Sequence, residues 1–119
     1  MAQVTKNGKK IMQKFPNQAS VYWFDPEPVK GNEIKKIRPC VVVSPNVMNK
    51  HLKTVIVAPL TSTVQPWPFR LTVKILGQKS SIACDQIRVI DKSRLKAHTT
   101  DLNKTDKDRL LELIQSIFI

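Results

Sequence analysis

The sequence predicts a small, strongly bent antiparallel sheet or barrel with one helix at its C-terminal end. Three observations carry that expectation. Short apolar, β-branched runs recur between residues 21 and 90, each closed by proline, glycine or a polar turn. Residues 69–76 alternate strictly, with Phe69, Leu71, Val73 and Ile75 set against Arg70, Thr72 and Lys74. The end of the chain then changes to helical spacing, with Leu110, Leu113, Ile114 and Ile117 on one face.

The elements follow in order. Residues 1–20 hold four lysines and no acid, and read as an N-terminal extension, mobile or loosely packed, with a short helical turn near residues 11–15. Residues 21–119 read as a single domain. Val21, Tyr22, Trp23 and Phe24 are an aromatic strand, ended by Pro26 and Pro28 because proline lacks the backbone donor. A lysine-rich connection over 29–38 leads to a buried strand at 39–43, which Pro45 stops, and residues 46–50 suit one helical turn. A second buried strand spans 54–60. The loop 61–68 follows, and its prolines forbid a regular ladder. After the alternating strand, Gly77 and Gln78 with Lys79 and Ser80 form a turn. Short strands at 81–84 and 86–90 flank Asp85, and 94–97 suits a small edge strand. Thr105 to Asp108 fits an N-cap pattern, with acids where the helix dipole favours them. The apolar stripe beyond it is expected to pack on the sheet.

Composition narrows the function. The chain has 119 residues, enough for one modest core, and carries 20 Lys and Arg against 9 Asp and Glu, a net charge of +11. Such a field favours polyanions: nucleic acid, an anionic membrane surface or an acidic protein segment. No apolar run reaches the roughly 18 residues of a membrane span, and the basic N-terminus lacks the apolar stretch of a secretory signal, so a cytoplasmic protein is expected. Cys40 and Cys84 sit in apolar runs and read as core residues. His51 and His98 stand far apart, so neither a metal nor another cofactor is expected.

Three blocks are more specific. Gly31 and Glu33 precede Arg38, Pro39, a valine run and Ser44-Pro45. Pro59, Thr61 and Ser62 come next, followed by Pro68-Phe69. Cys84, Asp85, Gln86 and Arg88 form the third. In order and spacing these blocks resemble the MazF/PemK family of toxin–antitoxin ribonucleases, from about Val21 to the last helix. Where that family opens its first strand with Gly-Asp/Glu-Ile-Trp, this chain has Gln18 to Trp23. The resemblance implies an SH3-like barrel of the CcdB/MazF/PemK type with a C-terminal helix, assembled as a homodimer. It also implies a sequence-specific endoribonuclease toxin, cleaving single-stranded RNA (mRNA) without a metal, through attack of the ribose 2′-hydroxyl, and silenced by a cognate antitoxin.

Such cleavage needs a base for the 2′-hydroxyl, donors for the charge growing on phosphorus, and an acid for the leaving 5′-oxygen. The resemblance assigns Arg38 the central role, and its forked guanidinium matches phosphate geometry; a solvated loop arginine is the alternative. Thr61, at the end of a buried strand, is the second catalytic candidate, or else an ordinary turn threonine. Glu33 is the natural general base, or a surface glutamate paired with Lys35 or Lys36. Asp85 and Gln86 match a block bordering the RNA site. One branch of the family uses an arginine two positions before this aspartate and a histidine in the Gly-x-Glu motif; here those positions hold Ala83 and Asn32, which shifts weight onto Arg38. Trp67 suits base stacking or packing on its flanking prolines. Ser62, Lys30, Lys35, Lys36 and Arg88 are candidate RNA contacts. Two other readings stay open: a CcdB-like gyrase poison, although the tail from Gln115 to Ile119 lacks that group's Trp-Gly ending, and a catalytically inactive SH3-like RNA- or protein-binding module.

Overall fold

A computed structural model describes residues 3–4, 10–11, 15–26 and 37–119. Two short strands, β1 (Gln3–Val4) and β2 (Lys10–Ile11), pair antiparallel with each other. The helical turn expected near 11–15 is not formed at Ile11, which lies in β2, and 12–14 fall outside the described residues.

The main sheet is seven-stranded and antiparallel. Its strands are β3 (Ser20–Phe24), β4 (Arg38–Val42), β5 (Thr54–Thr61), β6 (Arg70–Ile75), β7 (Gln78–Ala83), β8 (Arg88–Asp91) and β9 (Leu95–Asp101). Neighbours run β6-β7-β5-β4-β3-β9, and β8 also pairs with β5. Register shifts on either side of Tyr22 in the β3–β9 pairing bend the sheet, so it curls into a half-barrel. Helix α1 (Asn46–His51) links β4 to β5, and α2 (Lys104–Ile117) closes the chain.

Both faces of the central strands are buried, as their unbroken valine runs require. One face joins Val41, Val43, Ala58 and Leu60 to Leu71, Val73 and Ile82, and α2 covers it through Leu110, Leu113 and Ile114. The opposite face gathers Phe24, Cys40, Val42, Val55, Val57 and Ile90. The two thiols are core residues, and burial pushes Cys40 up to about 12 and Cys84 up to about 11. Ile117 is the one member of the anticipated stripe that stays exposed.

Several boundaries differ from those read in the sequence. The hairpin between β6 and β7 turns on Leu76 and Gly77, with φ of 50° and 81°, so Gln78 to Ser80 already belong to β7. Cys84 to Gln86 form a single 3-10 turn, which delays β8 to Arg88. The last strand, β9, is longer than the edge piece expected at 94–97, because it pairs along β3. Helix α2 is capped by Asn103, whose side chain accepts from the Asp106 amide at 2.8 Å; the expected cap at Thr105 lies inside the helix.

Ser44 and Asn49 lock α1 to the sheet. The Ser44 hydroxyl donates to Asn49 Oδ1, the Asn49 amide donates back to the Ser44 carbonyl at 2.9 Å, and the Ile56 amide donates to the Ser44 hydroxyl at 3.0 Å. Asn49 is fully buried. Asn49→Ala orphans these groups and is expected to cost about 1–3 kcal/mol, read as a lower urea midpoint; an unchanged midpoint would discount the lock. Leu76 holds a left-handed conformation with its side chain exposed, so Leu76→Asn is expected to stabilise the hairpin by about 1 kcal/mol. A lower melting temperature in that variant would show that Leu76 is held by packing instead.

Candidate functional site

Arg38 opens β4 opposite Phe24 and is exposed. The β4–β5 ladder runs Val42↔Val57, Val41↔Ala58 and Cys40↔Pro59, and ends there because Pro39, next to face β5, has no N–H to give. Continuing that register by two residues sets Arg38 across from Thr61. Alternation puts both on the face that carries Cys40, Val42, Val55 and Val57 further in. Among the described residues Arg38 makes no ion pair, so its guanidinium stays open to an anion.

Thr61 ends β5, half-buried, and its hydroxyl accepts from the Thr63 amide at 3.2 Å. The hydroxyl proton remains available to donate. Thr61 pairs with Ser81, and Ser81 in turn with Thr72. Three hydroxyl side chains therefore cross β5, β7 and β6 in one row. Ser81 is fully buried, and its hydroxyl has no hydrogen-bond partner among the described residues. Ser62 lies exposed in the bend just beyond Thr61.

Asp85 and Gln86 project from the 3-10 turn, both exposed. The turn exists because β7 and β8 run along β5 in different registers: Ile82 meets Leu60, but Arg88 meets Val57. The residues left over between them bulge outward. Asp85 accepts two bonds from Arg70, Nε at 2.5 Å and Nη2 at 3.0 Å, and Arg70's side chain is only 10% exposed. The Arg70 guanidinium also lies 5.1 Å from the centre of the Trp67 ring, which stacks on Phe69 at 5.5 Å. Trp67 thus packs on Phe69 and Arg70, and still keeps 43% of its surface exposed.

Arg70 was not among the candidate site residues. Its place at the head of an alternating strand was visible, but its pairing with Asp85 depends on a register that the sequence does not display. Arg88 is exposed, and one of its donors is taken by the Pro26 carbonyl at 3.1 Å, where Arg94 also donates. Glu33, Lys30, Lys35 and Lys36 lie outside the described residues. Among the described residues no group of three or more His, Cys, Asp and Glu side chains could hold a metal ion.

The bond from Arg70 holds the Asp85 carboxyl below its ordinary value of 3.8. A carboxylate with a depressed value adds stability above the ordinary value and loses it as pH falls through the depressed one. Wild type and Asp85→Asn should therefore differ in stability at neutral pH and converge below pH 3.8 in acid titrations of the melting temperature. A gap that stays constant down to the acid limit would show that the carboxylate's charge contributes nothing.

Comparison with known proteins follows the same outline. Residues 17–118 match the model of the PemK-like, MazF-like toxins of type II toxin–antitoxin systems. Endoribonuclease MazF of Staphylococcus saprophyticus is 37% identical over 92 residues, covering 72% of this chain and 77% of that protein. Among solved structures, Mycobacterium tuberculosis toxin MazF-mt6 is similar with a TM-score of 0.70 and 25% identity, over 83% of this chain and 95% of its own. A mycobacterial endoribonuclease in complex with its cognate antitoxin shares the fold with a TM-score of 0.74 at 19% identity, over 87% of this chain and 94% of its own. With a family model spanning nearly all of its described domain, the chain belongs to the PemK-like, MazF-like toxins of type II toxin–antitoxin systems.

Proposed function

We propose that the chain is a sequence-specific endoribonuclease that cleaves single-stranded mRNA through attack of the ribose 2′-hydroxyl, by a route that needs no metal. One observation supports the reading beyond family membership: the β4–β5 register, continued two residues past its last pair, would bring the open guanidinium of Arg38 across from the hydroxyl of Thr61 on one face of the sheet.

The chemistry follows from those groups. A base takes the 2′-hydroxyl proton, and Glu33 is the residue proposed for it. The 2′-oxygen attacks phosphorus, the bond to the 5′-oxygen breaks, and that oxygen takes a proton from water, leaving a 2′,3′-cyclic phosphate and a 5′-hydroxyl. Arg38 stabilises the charge that grows on the non-bridging oxygens, because its donors are fixed in a planar fork and remain charged throughout. Thr61 donates to one of the same oxygens. Asp85, held by Arg70, keeps the bulge in place beside the strand, and Gln86, exposed on that bulge, reads a base edge. The exposed part of Trp67 offers a stacking surface to a base. Ser62, Lys35, Lys36 and Arg88 contact the RNA around these groups.

The net charge of +11 suits both the substrate and a rival for its groove. An acidic segment of the cognate antitoxin, ordering across the basic face, would exclude RNA by occupying the same positive field. The proposal includes a homodimer acting in the cytoplasm, where mRNA is met. Among the described residues no helix is long and apolar enough to cross a membrane. Family membership argues against the gyrase-poison reading, and no feature of the site favours an inactive module.

Incubation with a long single-stranded RNA in EDTA, with fragment ends mapped, tests the proposal. Discrete cuts at a short recurring sequence with cyclic phosphate ends are expected. Arg38→Ala should lower kcat by at least about 100-fold, in keeping with the loss of a main transition-state donor, and leave the circular dichroism spectrum unchanged. Thr61→Val should cost less, about 10-fold, as one neutral donor is removed. Full activity in Arg38→Ala would remove that residue from the mechanism; intact RNA with wild type would end the ribonuclease reading.

A further inference from the structure

We infer that Lys74 and Lys79 form a second phosphate-binding site for the RNA strand, away from the bond that is cut. The inference rests on the ribonuclease reading above and adds to it a subsite for a backbone phosphodiester.

The two lysines are direct cross-strand partners in the β6–β7 hairpin, and both are exposed. Like charges placed directly opposite one another weaken a strand pair, whereas a carboxylate at either position would strengthen it. Among the described residues neither ammonium has an ion-pair partner. The hairpin thus keeps a locally unfavourable pair that an anion between the two side chains would relieve.

Its position connects the pair to the site. Lys74 and Lys79 share a face with Thr72 and Ser81, two residues nearer the body of the sheet. Ser81 pairs with Thr61, and Thr61 falls across from Arg38 when the β4–β5 register is continued by two residues. The lysines therefore lie just beyond a row in which Thr61 and Thr72 are half-buried and Ser81, between them, is fully buried. Strand spacing and rise set Lys79 at about 8 Å and Lys74 at about 12 Å from Thr61, measured between backbones. A strand whose scissile phosphate lies at Arg38 and Thr61 would bring a neighbouring phosphate to that span. The opposite face of the hairpin is packed through Leu71, Val73 and Ile82, which directs the charges to one side only.

The test uses the RNA sequence recovered from the cleavage map, as a single-stranded oligonucleotide with a 2′-O-methyl group at the cut position to block attack. Binding is followed against salt concentration for wild type and for Lys74→Gln with Lys79→Gln. Loss of one neutralised phosphate should lower the slope of log K against log salt by about 0.7. On the cleavable oligonucleotide KM should rise, and kcat should hold. Replacing single phosphates by methylphosphonates should reproduce the loss at one or two neighbouring positions in wild type and have no added effect there in the double variant. Lys79→Glu should raise the melting temperature while weakening RNA binding, an opposition that a purely structural role would not give.

An unchanged slope and KM in the double variant, with wild type cutting normally, would overturn the lysine site alone. So would variants that bind RNA normally and lose affinity only for an acidic antitoxin peptide. Failure of wild type to cut RNA would bring down the ribonuclease reading and this site together.

Discussion

The structure depends on β5 (Thr54–Thr61), the strand that must satisfy three neighbours. It pairs with β4 on one edge, and on the other with β8 along its first half and β7 at its last two residues. It also faces both apolar clusters, with Val55 and Val57 on one side and Ala58 and Leu60 on the other. A strand buried on both faces and paired on both edges has little freedom to slip, because a shift by one residue would exchange its two faces. That rigidity reaches the end of the strand, where Thr61 emerges.

Two discontinuities turn this scaffold into a site. Pro39 ends the ladder between β4 and β5, so Arg38 and Thr61 stand beyond the last pair with their side chains free of the sheet's interior. The register change between β7 and β8 expels Cys84 to Gln86 as a turn, anchored inward by the buried Cys84 and outward by the Arg70–Asp85 pair. Both departures from ideal pairing lie along the same strand. The proposed functional groups gather there because a sheet edge without ladder bonds leaves room for a ligand.

The central architecture was legible in the sequence wherever one physical signal dominated. The valine runs of β4 and β5 have only one stable use, burial on both faces. The alternation from Phe69 onward marked β6, and the stripe through Leu110, Leu113 and Ile114 marked the helix that covers it. Boundaries were less legible where a local preference lost to pairing. Leu76 is a poor residue for a left-handed turn, so nothing local announced that the hairpin would close on it. Asn103 capped α2 ahead of Thr105 because the chain arrives from β9, a strand whose length is set by β3 and not by its own residues. At the site, Arg38 and Thr61 were visible as motif residues, but their alignment is a property of register. The same holds for Arg70 and Asp85, fifteen positions apart and joined only through the β6–β7 pairing.

The arginines of this surface divide according to what they touch. Arg70 commits its fork to Asp85 and lies against Trp67, and its side chain is nearly buried. Arg88 and Arg94 both donate to the Pro26 carbonyl, holding the end of β3 against the far side of the sheet. Among the described residues Arg38 alone of these four is left with no such partner, at a point where a proline has already opened the ladder. A guanidinium satisfied by a carboxylate or a carbonyl must give up that bond before it can serve a phosphate, whereas an open one exchanges only water. The cost of the proposed transition-state contact is therefore lowest at Arg38. The other three hold neighbouring surfaces fixed through their bonds to Asp85 and the Pro26 carbonyl.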